Sequence, residues 1–217
     1  MHAATRIFAA LLVAVLFALL GGCQKRTPSD AAPVVIPRNF KVGVAWFTQP
    51  TTTSALLTGQ LPTHQKIISP GRLTELDGAL ARVFAQESSR PHIVLPAQIS
   101  MPSINLHESG SPQGLRTWLE VGREANVDIL FVPQIIHWQE LGTDGGGTHG
   151  AAIKAEFHLL DVARGRIVRH YVFDEEQVGL ASNLLTVDKF FKRKARWLTA
   201  VELTQEGMRE AVKDFGL

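Results

Sequence analysis

The chain has 217 residues, with 22 Lys and Arg against 20 Asp and Glu, 45% hydrophobic residues and a single cysteine. One cysteine excludes an internal disulfide and any metal site with several sulfur ligands, so stability has to come from packing. The near-balance of charge leaves no electrostatic footprint for nucleic acid, and the length suffices for one sizeable core.

The chain opens with Met1 to Arg6, a short positive segment, followed by the unbroken apolar run Ile7 to Leu20. As a helix that run reaches only ~21 Å, short of the ~30 Å hydrocarbon core, which favours a secretory signal over a permanent span. Gly21-Gly22 supplies the small residues of a cleavage site, and the one cysteine, Cys23, follows directly. Leu20-Gly21-Gly22-Cys23 resembles the lipobox of bacterial lipoproteins. That resemblance implies removal of residues 1–22 and lipidation of Cys23, whose acyl chains anchor the protein to a membrane; two or more chains make such attachment stable. Gln24 in place of Asp after the cysteine implies, by the same resemblance, sorting to the outer membrane with the domain facing the periplasm, the inner membrane being the alternative. An ordinary secretory signal with a chance cysteine is the plainer reading. Without residues 1–22 the balance is 21 basic against 20 acidic residues, close to neutral.

Gln24 to Arg38 holds Pro28, Pro33 and Pro37 among polar residues, without apolar periodicity, and reads as a tether. Extended in the polyproline manner, it reaches up to ~45 Å from the lipid. The expected organisation is therefore a signal over 1–22, a lipidated tether over 23–38 and one domain over 39–217.

Within the domain, "FKVGVAWF" (Phe40 to Phe47) reads as a buried central strand, with Phe40, Val42, Val44 and Trp46 on one side and Ala45 and Phe47 on the other. Thr48 to Ser69 has no sustained period, and a connection that long tends to be functional or mobile. Ser69-Pro70 is an N-cap with proline at the first helical position; Leu73, Leu76, Leu80, Val83 and Phe84 then predict a helix over 70–87. "HIVLPA" (His92 to Ala97) is a short strand. Ser111-Pro112 repeats the capping signal for a second helix, with Leu115, Trp118, Leu119, Gly122 and Ala125 on its apolar face, ending near Asn126.

Asp128 to Leu141 is the most apolar stretch after the signal and reads as a strand, with Pro133 marking a bulge or a sheet edge. Thr143 to Gly150 is a Gly-rich connection. Ala151 to Val162 alternates, Ile153, Ala155, Phe157 and Leu159 opposing Lys154, Glu156 and His158, which predicts a half-exposed strand. A tight turn at Ala163-Arg164-Gly165 returns it along Arg166 to Asp174, and Glu175-Glu176 reads as a solvated turn. Thr199 to Glu202 is a capping box, with Leu198 and Leu203 as a hydrophobic staple, before a last helix burying Val201, Met208, Ala211, Val212 and Phe215.

The resulting order is strand, helix, strand, helix, antiparallel meander, helix. It predicts an α/β fold of α+β mixed type: one mixed sheet packed with about three helices. With "EANVDILFVPQI" (Glu124 to Ile135) and "HLLDVARGRIVRHYVF" (His158 to Phe173), this order resembles the α/β envelope domains that include the TolB N-terminal domain and the secretion lipoprotein CsgG. The resemblance carries over no catalytic residue and implies a fold, a compartment and, for the secretion lipoprotein, a capacity to oligomerise. The long alternating hairpins that build a membrane barrel are missing here.

The sequence offers little chemistry. HExxH and GxSxG are absent, and no histidine pair has i, i+4 spacing. His137, His158 and His170 fall on three consecutive strands as potential neighbours; the reading taken is half-exposed histidines satisfied by water, Glu140 or Glu156, with no metal and no cofactor. Gly142 to Gly150 lacks the Lys-Ser/Thr end of a phosphate loop and reads as a hairpin tip. Asp188 to Trp197 interleaves Lys189, Lys192, Arg193, Lys194 and Arg196 with aromatic residues including Trp197, a pattern for contact with an anionic surface; the plainer reading is aromatics on the core and cations in water. The expected function is a non-catalytic binding or assembly module of the bacterial envelope, with a membrane and an envelope protein as partners and no nucleic acid. A homo-oligomeric component of an envelope or secretion complex is the alternative, and a hydrolase whose triad assembles from distant positions a further one.

Overall fold

The computed structural model describes residues 35–97, 113–144, 147–177, 193 and 196–217. The α/β expectation holds. Strands β1 (Val42–Val44), β2 (His92–Val94), β3 (Ile129–Gln139), β6 (Ala152–Asp161) and β7 (Arg166–Glu176) form one mixed sheet in the order β2-β1-β3-β6-β7. β1 is parallel to both β2 and β3, whereas β3, β6 and β7 run antiparallel in succession. The connections explain this split: α1 (Pro70–Glu87) and α2 (Gln113–Glu124) carry the crossovers, and the Asp161–Arg166 turn closes a hairpin. The Gly-rich segment forms a separate ribbon of β4 (Gly142–Asp144) and β5 (Gly147–His149), in keeping with a hairpin.

The capping signals at Ser69 and Thr199 are realised, while Ser111 and Pro112 lie outside the described residues. Ser69 caps α1, its Oγ accepting from the Arg72 amide, and Pro70 opens the helix. Thr199 and Glu202 cap α3 (Ala200–Phe215) reciprocally. α2 and α3 both end in a left-handed residue, Asn126 (φ 52°) and Gly216 (φ 66°). In each, the next amide bonds back five residues, Val127 to Gly122 and Leu217 to Val212, and the left-handed residue itself bonds back three, which satisfies the last carbonyls.

Two apolar layers sandwich the sheet. On one face α1 and α3 cover Val42, Val44, Ile129, Phe131, Ile135, Phe157, Leu159, Tyr171 and Phe173, with Phe131 against Phe84, Phe157 and Phe215 at centroid distances of 5.0, 5.8 and 5.8 Å. On the other, α2 lays Trp118, Leu119 and Val121 over Ala45, Trp46, Leu130, Val132 and Leu160. Ile36 is buried in the first layer, and Arg90 donates to the Ile36 and Pro37 carbonyls, so packing of the domain is under way before Phe40.

Four expectations need correction. Strand β1 is only three residues long: after Val44 the alternation breaks, so Trp46 joins Ala45 in the α2 layer while Phe47 turns to the α1 and α3 layer. The cause lies at Phe47, whose amide donates to Asp77 on α1 instead of continuing the ladder. Pro133 marks neither an edge nor the bulge. β3 is interior, and its irregularity lies between Ile135 and His137. Proline is tolerated because its nitrogen side faces the ground beyond β1, where only a bridge from Thr48 to Gln134 remains. Glu175 and Glu176 belong to β7 and not to a turn. Finally, β6 is buried on both faces, Glu156 and His158 included.

Candidate functional site

The buried polar face of β6 is the centre of the site. Glu156 and His158 are two residues apart in a strand and so share a face. His170 on β7 lies directly opposite His158, and Gln134 on β3 directly opposite Glu156. α2 lies over Leu130, Val132 and Leu160 on this face. The long connection after β1 lies over Glu156 and His158, with a 3-10 turn at Thr53–Ala55.

Gln134 fastens that connection. Its Oε1 accepts from the Leu57 amide (3.1 Å) and its Nε2 donates to the Ala55 carbonyl (3.0 Å), so one side-chain amide stands in for a strand's donor and acceptor. Gln49 does the same for Ile68 and Lys66, both at 2.8 Å, and Gln177 for the two backbone groups of Leu198 at 2.7 and 2.8 Å.

Held in this way, the loop delivers Thr58. Its Oγ1 donates to Glu156 Oε2 at 2.7 Å and stands 2.8 Å from His158 Nε2 and 3.0 Å from His170 Nε2. Glu156 Oε2 is 3.6 Å from His158 Nε2 and 3.3 Å from His170 Nε2. The next residue, Gly59, has φ +75°, and a Cβ there would sit 2.7 Å from Glu156 Oε1. Glycine is required twice over, by conformation and by space.

The environment sets the charges. Burial pushes the His158 imidazolium down to about 3, the nearby His170 adds to this, and Glu156 and the Val132 carbonyl oppose it. Burial also disfavours the Glu156 carboxylate, but hydrogen bonds from His170 and Thr58 together with the histidine charges outweigh it and leave the group below its ordinary value. His158 Nδ1 is buried without a hydrogen-bond partner.

In the sequence His158 and His170 are neighbours with Glu156 in reach, and their alternation reads as half-exposed and free of metal. The structure buries His158 and Glu156 completely, leaves only His170 part-exposed, and sets their three ligand atoms within 4.8 Å of one another, close enough to hold one ion. His137 is not among them; it pairs with Lys154 beyond the bulge. Glu140 accepts from Trp138 and pairs with Arg72. Thr58 was missed, since no spacing announces a hydroxyl delivered by an irregular loop.

Of the expected anionic-surface residues, Arg193 pairs with Glu206 (2.6 Å) and Glu175 (3.3 Å), its side chain largely buried, while Arg196 pairs with Glu202 (2.8 Å). Trp197 is half-buried. Lys189, Lys192, Lys194 and the expected lipidation site Cys23 lie outside the described residues.

No protein-family model and no curated protein matches the chain. Among solved structures it is similar to the PelC dodecamer from Paraburkholderia phytofirmans (15% identity, 70% of this chain and 84% of that one, TM-score 0.41). It is also similar to protein XCC0632 from Xanthomonas campestris (14% identity, 86% and 87%, TM-score 0.39) and to lipoprotein GNA1162 from Neisseria meningitidis (10% identity, 72% and 98%, TM-score 0.35). No site residue is carried over from them.

Proposed function

We propose that the protein is a lipid-anchored, periplasm-facing module of the bacterial outer membrane that binds or assembles envelope partners without catalysing a reaction. The observation that carries this reading is Leu20-Gly21-Gly22-Cys23 directly behind the apolar run Ile7 to Leu20. Gln24 to Val35 then separates the cysteine from Ile36, the first buried residue among those described, a reach of ~37 Å at the polyproline rise. A domain on such a lead meets partners well beyond the headgroups. Membership of the TolB-like and CsgG-like envelope domains is part of the same proposal, supported by the order of elements.

The non-catalytic part is supported by the site itself. Thr58 and Gly59 close over Glu156 and His158, an arrangement that holds a loop in place.

The test is mass analysis and fractionation. An N-terminal acylated Cys23 in the native product, and release of a Cys23→Ser chain from membranes, are expected. An intact leader with an unmodified thiol, or unchanged fractionation of the variant, overturns the reading. Crosslinking in the native envelope then identifies the partner.

A second reading, self-association into a larger assembly, is favoured by the sheet edge: on β2, Ile93 and Val94 are 52% and 46% exposed, and among the described residues β2 pairs with β1 alone. A monomer at high concentration in sizing experiments would remove it.

A further inference from the structure

The Glu156, His158, His170 and Thr58 cluster has the dimensions of a coordination polyhedron. Zinc binds imidazole nitrogen and carboxylate oxygen at ~2.0–2.2 Å, which in a tetrahedral site sets donors ~3.3–3.6 Å apart. The two carboxylate-to-imidazole separations are 3.3 and 3.6 Å, and Thr58 Oγ1 stands off all three ligand atoms at 2.7 to 3.0 Å. Two edges, from the carboxylate to each imidazole, therefore already have the length a zinc site needs, and the three shorter edges to Thr58 would open by roughly half an ångström around the ion.

The proton inventory points the same way. If hydrogen bonds alone bind the cluster, the single Thr58 proton goes to Glu156, His158 donates from Nε2 to the hydroxyl oxygen, and His170 donates from Nε2 to Glu156 or to that same oxygen. His158 Nδ1 is then a bare acceptor, fully buried, without a donor and under the influence of the Val132 carbonyl, itself an acceptor. That arrangement leaves a buried lone pair facing another. An ion on Nε2 reverses it: the hydrogen moves to Nδ1 and has the Val132 carbonyl to face, which is how a metal-bound histidine is usually oriented by backbone.

We propose that Glu156, His158 and His170 bind one zinc ion, with Thr58 Oγ1 at the fourth corner, and that the ion fastens the connection after β1 to the sheet. His170, with 31% of its side chain exposed, supplies the entry path. The site does not depend on lipid anchoring, and its test leaves that reading untouched.

The full chain carrying Cys23→Ser, which removes the only thiol as a competing ligand, is purified in detergent, stripped with a chelator and titrated with zinc chloride. The expected result is one zinc per chain, a higher melting temperature with zinc, and a cobalt(II) adduct with a tetrahedral absorption spectrum. His170→Ala and Glu156→Gln, the latter keeping the shape and a hydrogen-bond acceptor, are each expected to weaken binding by at least ~100-fold, beyond the usual effect of losing a merely orienting partner. His137→Ala is expected to leave it unchanged. Failure of the folded Cys23→Ser chain to take up zinc overturns the proposal, as does equal affinity in either ligand variant.

Discussion

His158 and His170 stack face to face across β6 and β7, ring centroids 4.6 Å apart and planes only 8° from parallel. Both rings reach the same hydroxyl, Thr58 Oγ1, which ties them to each other and to the loop. Replacing Thr58 with valine keeps the volume and withdraws that hydroxyl from three groups at once. We expect a loss of ~2–3 kcal/mol in urea unfolding with chelator present. A change within ~0.5 kcal/mol would mean that the hydroxyl holds nothing together.

Gly59→Ala tests the close approach of loop to sheet. The left-handed backbone costs ~1–2 kcal/mol for alanine, and displacing Glu156 Oε1 from the new Cβ adds to it. For a chain of this size the melting temperature should fall by roughly 5–10 °C, read by circular dichroism.

The capping box of α3 makes a pH-dependent contribution. Arg196 and the Thr199 amide hold the Glu202 carboxyl down at about 2, against the usual 4.5. Its contribution is therefore complete above pH 4.5 and disappears as the pH falls toward 2. Glu202 and Arg196 are exposed enough for solvent to screen the pair, so Glu202→Gln should cost only ~0.5–1 kcal/mol at pH 7. The gap between wild type and variant, followed by urea midpoints at pH 7, 4 and 3, should narrow with acid; a constant gap would assign the effect to helix propensity.

The basic segment divides into two predictions. Arg193→Met removes the guanidinium that pairs with both Glu206 and Glu175 and should destabilise the domain by ~1–3 kcal/mol. Reversing Lys189, Lys192 and Lys194 together should weaken binding of the Cys23→Ser chain to anionic vesicles by ~1 kcal/mol per charge at the surface. Unchanged vesicle binding would end the anionic-surface reading.

The helices were legible because capping and periodicity are local. Ser69-Pro70, Thr199 with Glu202, and the leucine spacing of α1 needed no tertiary information. β6 shows where local reading stops. Its Lys154, Glu156 and His158 alternate like a solvent face, yet two of the three are buried, because Thr58 and Gly59, from a loop with no period of its own, lie over them. Composition along one strand does not reveal what an irregular segment far away in sequence lays over it. The same holds for Arg193: a cation among aromatics looks the same in sequence whether it faces water or Glu206.

Gln49, Gln134 and Gln177 give this domain a chemical ageing liability. Each clasps a loop with one donor and one acceptor, and deamidation to glutamate would turn the donating end into a carboxylate against the carbonyl of Lys66, Ala55 or Leu198. The connection after β1, held twice, and the segment before α3 are thus tied down by links that hydrolysis of a single side-chain amide undoes with the backbone left whole.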